Sequence, residues 1–172
     1  MPERPVILTG FMGSGKSSVG RLLAQSLGCP LVDLDAVIVE TAGKSINAIF
    51  AEEGEPAFRA LESACLERAL AGGRAVVATG GGVVIAEANR QLMARHGIVI
   101  NLMASLPRVL ERLAGATDRP LYAGQDEAER VGALMAEREQ FYCVADIRID
   151  TDGKSVEDVA AEILRFLKGL EP

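Results

Sequence analysis

The sequence predicts an α/β fold, a parallel sheet covered by helices. Three observations predict it. Short β-branched apolar runs recur along the chain, stretches of helical period separate them, and 49% of the 172 residues are apolar. Strands are expected at Val6–Thr9, Leu31–Asp33, Ala75–Thr79, Ile98–Leu102 and Asp146–Asp150. Between them the apolar spacing predicts helices over Lys16–Leu27, Asp35–Ala42, Ile46–Glu53, Pro56–Ala71, Glu87–His96, Leu106–Leu113, Glu127–Phe141 and Val156–Leu167. Gly28 and Gly97 stand where helices stop, and Ser155, with Asp158 three residues on, where one starts. The segment from Ala114 to Asp126 is polar and without period, which predicts a mobile loop.

Composition narrows the function. A length of 172 residues suits a single domain over 1–172, able to bury about 70% of its unfolded surface. No run approaches the ~18–20 apolar residues of a membrane span, and the first residues lead straight into Val6-Ile7-Leu8 without a signal peptide. A net charge of −6 argues against nucleic acid. Cys29, Cys65 and Cys143 are an odd count with no close pair, which suits a reducing compartment rather than a disulfide frame or a zinc site. The expectation is a soluble cytoplasmic protein without membrane or nucleic-acid partners.

The decisive motif is Gly10-Phe11-Met12-Gly13-Ser14-Gly15-Lys16-Ser17, a match to G-x-x-x-x-G-K-[ST] between a predicted strand and a predicted helix. Glycines let successive N–H groups converge on a phosphate at the positive end of a helix. Lys16 can then reach the β- and γ-phosphates of a nucleotide, and the Ser17 hydroxyl can ligate Mg²⁺.

Five further features have two readings each. Asp33 and Asp35 leave a strand two residues apart; one can cap the next helix, or the pair can serve a metal shell and a substrate hydroxyl at the carboxyl edge of the sheet. Gly80-Gly81-Gly82 is a flexible turn or a close approach of backbone to ligand. Arg59, with Glu55 at i−4 and Glu62 at i+3, is an exposed ion-pair row or a functional residue, and Arg138, in a helix four residues before Tyr142, is a solvated side chain or a neutraliser of transition-state charge. Arg119, in the aperiodic loop, is a solvated side chain or a neutraliser of transition-state charge. His96 reads as a helix-end residue, Lys44 and Lys154 as surface, and Met93, Met103 and Met135 as core.

The P-loop, Asp33-x-Asp35, the stretch from Gly43-Lys44-Ser45-Ile46 to Phe58-Arg59, the glycine triplet, Arg119-Pro120-Leu121 and Arg138-x-x-x-Tyr142 occur in one order from Val6 to Leu167. Together they resemble the shikimate kinases. The resemblance implies a P-loop kinase fold, three-layer α/β/α with a five-stranded parallel sheet and a mobile lid at about 114–126. It implies transfer of the γ-phosphate of ATP to the 3-hydroxyl of shikimate in aromatic amino-acid biosynthesis, with Mg²⁺; a monomer is expected, although no residue pattern in the sequence reports the oligomeric state. By the same resemblance Gly13, Ser14, Gly15, Lys16, Ser17 and Ser18 cradle the phosphates, and Ser17 with Asp33, through water, holds the metal. Asp35 meets the shikimate hydroxyls, Gly80, Gly81 and Gly82 supply backbone contacts, Arg59 and Arg138 clamp the carboxylate, Arg119 is the lid arginine, and Arg112 lies over adenine. Lys16, Asp35 and Arg119 would be the catalytic set. Gln140, where the family often has proline, the short Tyr142-Cys143-Val144-Ala145 turn and Tyr122 depart from the pattern. A gluconate kinase is the nearest rival; a GTP switch would need an Asn-Lys-x-Asp motif, which the chain lacks.

Overall fold

The computed structural model describes residues 2–115 and 126–170. Five strands form one parallel sheet: β1 (Val6–Thr9), β2 (Leu31–Asp33), β3 (Val76–Ala78), β4 (Ile98–Met103) and β5 (Ile147–Asp150), in the order β2-β3-β1-β4-β5. The helices are α1 (Lys16–Leu27), α2 (Leu34–Ala42), α3 (Ile46–Ala71), α4 (Glu87–His96), α5 (Leu106–Ala114), α6 (Glu127–Tyr142) and α7 (Val156–Gly169). Central strands are apolar on both faces, as expected for parallel strands buried between helix layers. Alternation then splits the core in two. Val6, Leu8, Ile98, Ile100, Leu102 and Ile149 pack with α1 and α7; Ile7, Val77 and Val99 pack with the helices of the other face. The architecture is the expected three-layer α/β/α. No helix among the described residues is long and apolar enough to cross a membrane.

Local chemistry sets the boundaries. Gly28 ends α1 in the left-handed conformation, and Ser155 and Asp158 form a reciprocal capping box on α7. The two helices expected over 46–71 form one element broken at Gly54 (φ 83°, ψ 171°), two residues before Pro56, so the predicted division survives as a kink. Gly97 ends α4 differently from expectation: it is extended, not left-handed. Glycine is needed there for space, because a Cβ would stand 2.3 Å from Ile7 Cδ1 and 2.9 Å from the Pro5 carbonyl. A short 3₁₀ turn, Val83–Ile85, follows the glycine triplet.

One consequence of the strand order positions the site. β3 lies between β2 and β1, with Asp33 paired to Ala78 and Ala78 to Leu8. The P-loop after β1, the aspartates after β2 and the triplet after β3 therefore meet at the carboxyl edge of the sheet, where open α/β folds bind ligands.

Candidate active site

The P-loop runs from β1 into α1 with Gly10, Gly13 and Gly15 at φ 149°, 76° and 96°, values that side-chain-bearing residues rarely adopt. A Cβ on Gly10 would stand 2.5 Å from the Leu102 carbonyl and 2.7 Å from Ser14 Oγ, so the loop is also too tight for one. Lys16 folds back over the loop, only 9% exposed, and donates to the carbonyls of Gly10 (2.6 Å) and Phe11 (3.0 Å). Gly13, Gly15, Lys16, Ser17 and Ser18 line a cavity of about 190 Å³. Ser14 is turned inward, its buried hydroxyl without a hydrogen-bond partner among the described residues. Arg112, from the last turn of α5, donates to the Gly13 carbonyl and covers the loop from above.

Asp33 takes the capping role considered for it. Its Oδ1 accepts from the N–H groups of Asp35 (3.1 Å) and Ala36 (3.3 Å), capping α2, while the residue lines the same P-loop cavity as Ser17. A hydroxyl and a carboxylate across one polar cavity are the hard oxygen donors that Mg²⁺ takes alongside phosphate and water, so the residues present fit that ion.

Beside this cavity lies a larger one of about 620 Å³, lined by Asp35, Arg59, Glu62, Arg138 and the triplet Gly80–Gly82, with Phe50 and Phe58 closing its apolar side. The two cavities share Met12, Asp33, Asp35, Gly80 and Gly81. Arg138 is 7% exposed; its Nε is buried without an acceptor among the described residues, and its guanidinium stands 5.7 Å over the Phe11 ring. A buried guanidinium donor left unpaired costs about 1–3 kcal/mol, a cost that an anionic ligand in the cavity removes. One turn on, the Tyr142 hydroxyl donates to the Gly81 carbonyl, tying α6 to the triplet. The short turn after Tyr142 thus leaves Arg138 in the cavity.

Arg59 pairs with Glu62 (2.8 Å) and more loosely with Glu55 (3.4 Å), as its helical spacing predicts, yet the row is not a solvated one. Its guanidinium lies flat against Gly82, where an added Cβ would fall 2.3–2.6 Å from it. Glu62 is the site residue that sequence reasoning missed. It is 1% exposed, and a Cβ on Gly80 would stand 3.1 Å from both Glu62 Oε2 and Asp35 Oδ1. Burial pushes the Glu62 carboxyl above the ordinary glutamate range and Asp35 pushes it the same way, while Arg59 and Arg138 pull it back. The signal was available: Phe58, Glu62 and Leu66 recur at i, i+4 and i+8, which puts Glu62 on the buried stripe of α3.

Phosphate cradle, carboxylate pair and two arginines, Arg138 buried and Arg59 partly so, thus stand at one sheet edge, in the pattern of a small-molecule kinase. The family model for shikimate kinase matches residues 12–168. The chain belongs to the shikimate kinase family. It is 58% identical to the shikimate kinase of Geobacter metallireducens over 166 residues, covering 96% of this chain and 93% of that one. Identity to the Geobacter sulfurreducens shikimate kinase is 56% over 167 residues, covering 96% and 91%. Among solved structures, the Acinetobacter baumannii shikimate kinase in complex with shikimate superposes with a TM-score of 0.94 at 32% identity, covering 98% of this chain and 96% of that one.

The structure brings together fourteen residues expected at a shikimate kinase site: Gly13, Ser14, Gly15, Lys16, Ser17, Ser18, Asp33, Asp35, Arg59, Gly80, Gly81, Gly82, Arg112 and Arg138. Arg119 and most of the expected lid fall in 116–125, outside the described residues.

Proposed function

We propose that this chain transfers the γ-phosphate of ATP to the 3-hydroxyl of shikimate. The observation that carries the reading is the shared wall. Asp35, Gly80 and Gly81 line both the P-loop cavity and the arginine-lined cavity, so an acceptor seated in one presents a hydroxyl to a phosphate seated in the other.

Each side chain then has a task. The P-loop N–H groups of Gly13 to Ser18 cradle the phosphates, and Lys16 exchanges two neutral carbonyl partners for anionic oxygens. Ser17 and Asp33 would hold Mg²⁺, which when bound would neutralise charge on the β- and γ-phosphates. Arg59 and Arg138 receive the shikimate carboxylate, Arg138 gaining the acceptor its buried Nε lacks. Asp35 orients the 3-hydroxyl and takes its proton as the new oxygen–phosphorus bond forms and the bond from the γ-phosphorus to the bridging oxygen breaks to release ADP, and the Gly80–Gly82 backbone meets the ring face. Arg112 lies over adenine. Arg119, outside the described residues, adds positive charge at the transferring phosphate, because a loose transition state needs charge and positioning more than a strong base. The chain acts as a cytoplasmic, single-domain monomer.

The test is ADP release measured with shikimate, with gluconate and with no acceptor. Release that requires shikimate supports the reading; equal release with gluconate or without acceptor overturns it.

A further inference from the structure

We infer that Arg148 is a positioning residue for the carboxylate subsite, acting through Glu139 on the helix that carries Arg138; the inference rests on the reading of Arg138 given above. In β4, Ile98, Ile100 and Leu102 face α1 and α7, and in β5 so does Ile149. Asn101 and Arg148 therefore face the opposite side, toward α6. The register places Thr9, Asn101 and Arg148 side by side on three adjacent strands. Asn101 Nδ2 donates to Thr9 Oγ1 (3.4 Å), Arg148 Nε donates to Asn101 Oδ1 (3.1 Å), and Arg148 reaches Glu139 Oε1 at 2.7 Å.

This row has meaningful ends. Thr9 immediately precedes Gly10, the first P-loop glycine, and Glu139 immediately follows Arg138. Thr9 and Asn101 are each 1% exposed, so the row runs through the sheet interior, where apolar side chains would pack without polar cost. Its outer pair is partly solvated, and exposed ion pairs contribute only about 0–1 kcal/mol to stability. What the row fixes is geometry: the height and rotation of α6 relative to the strand that launches the P-loop. Tyr142, bonded to the Gly81 carbonyl, holds the same helix at its other contact with the site. Between them the two ties aim Arg138 at the cavity.

The test uses Glu139→Gln, Arg148→Met and the double variant, with Arg138→Leu as reference. Shikimate affinity, affinity for a non-hydrolysable ATP analogue and Tm are measured for each. Each single change is expected to weaken shikimate by about three- to tenfold, and the double variant no more than the worse single, because the two residues act as one tie. ATP-analogue affinity stays within about twofold, since the P-loop itself is untouched. Unchanged shikimate affinity, additive losses or an equal loss for the ATP analogue overturns the inference. If Arg138→Leu weakens shikimate while the other variants do not, the positioning role alone fails. If Arg138→Leu leaves shikimate affinity unchanged, the clamp reading fails and this inference with it.

Discussion

Gly82→Ala isolates the contact between the glycine triplet and Arg59. Gly82 has φ −99° and ψ 1°, so alanine strains no backbone. The added Cβ would lie 2.3, 2.4 and 2.6 Å from Nη1, Nη2 and Cζ of Arg59, against an ordinary contact of about 3.5–4 Å, so the guanidinium must retreat by more than an ångström. It is the far end of a flexible side chain, 26% exposed, and can do so cheaply. Stability should therefore change by less than about 0.5–1 kcal/mol, while the cavity loses a charge-assisted hydrogen bond of about 1.5–3 kcal/mol. That is roughly ten- to hundredfold in KM for shikimate, with KM for ATP little moved. Steady-state kinetics with each substrate varied, and thermal melts alongside, check both halves. Arg59→Ala should remove the effect of the added methyl. An unchanged KM for shikimate at unchanged Tm would refute the assignment of Arg59 to the acceptor cavity.

Other changes probe the remaining groups. Lys16→Met should lower kcat by on the order of 10³-fold or more while calorimetry still detects shikimate binding. Asp35→Asn should lower kcat by about 10²–10⁴-fold, whereas Asp33→Asn, which can still cap α2, should raise the Mg²⁺ concentration needed at near-normal Tm; a magnesium titration of both variants separates the roles. Glu62→Gln tests the buried carboxyl. Its raised pKa means the folded protein holds that proton more tightly than the unfolded chain, so the contribution present below the ordinary glutamate value of 4.5 is lost as pH rises through the folded value. The Tm of the unmodified protein should fall relative to Glu62→Gln over that rise, and a constant difference would count against the burial argument. Arg119→Ala should lower kcat by about 10²–10⁴-fold and shift shikimate affinity by less than about 1 kcal/mol, read by kinetics and calorimetry.

What the sequence disclosed divides along the range of the interactions involved. The P-loop, the Asp33-x-Asp35 pair and the glycine triplet were legible because each is a local pattern at a strand end, and the strand order does the work of joining them. The ends of α1 and α7 were legible for the same reason, since Gly28, Ser155 and Asp158 act on their own turns. Glu62 was not, because its ion pair with Arg59 is local and looks exposed, while its burial comes from Gly80 and Asp35 on other elements. Gly97 looked like a left-handed helix stop, and only its packing on Ile7 shows that space is the constraint. Likewise Asn101 and Arg148 are ordinary strand residues until the register places them beside Thr9. The function was legible through the order of several motifs, not through any one of them.

The central claim is that a phosphate seated in the P-loop is handed across the shared wall to one hydroxyl of shikimate. The most direct measurement is phosphorus–proton NMR of the product formed from ATP, Mg²⁺ and shikimate. The account predicts a single phosphomonoester coupled to the proton on carbon 3, formed in step with ADP. Phosphate on another hydroxyl, or ADP released with inorganic phosphate and unmodified shikimate, would contradict it.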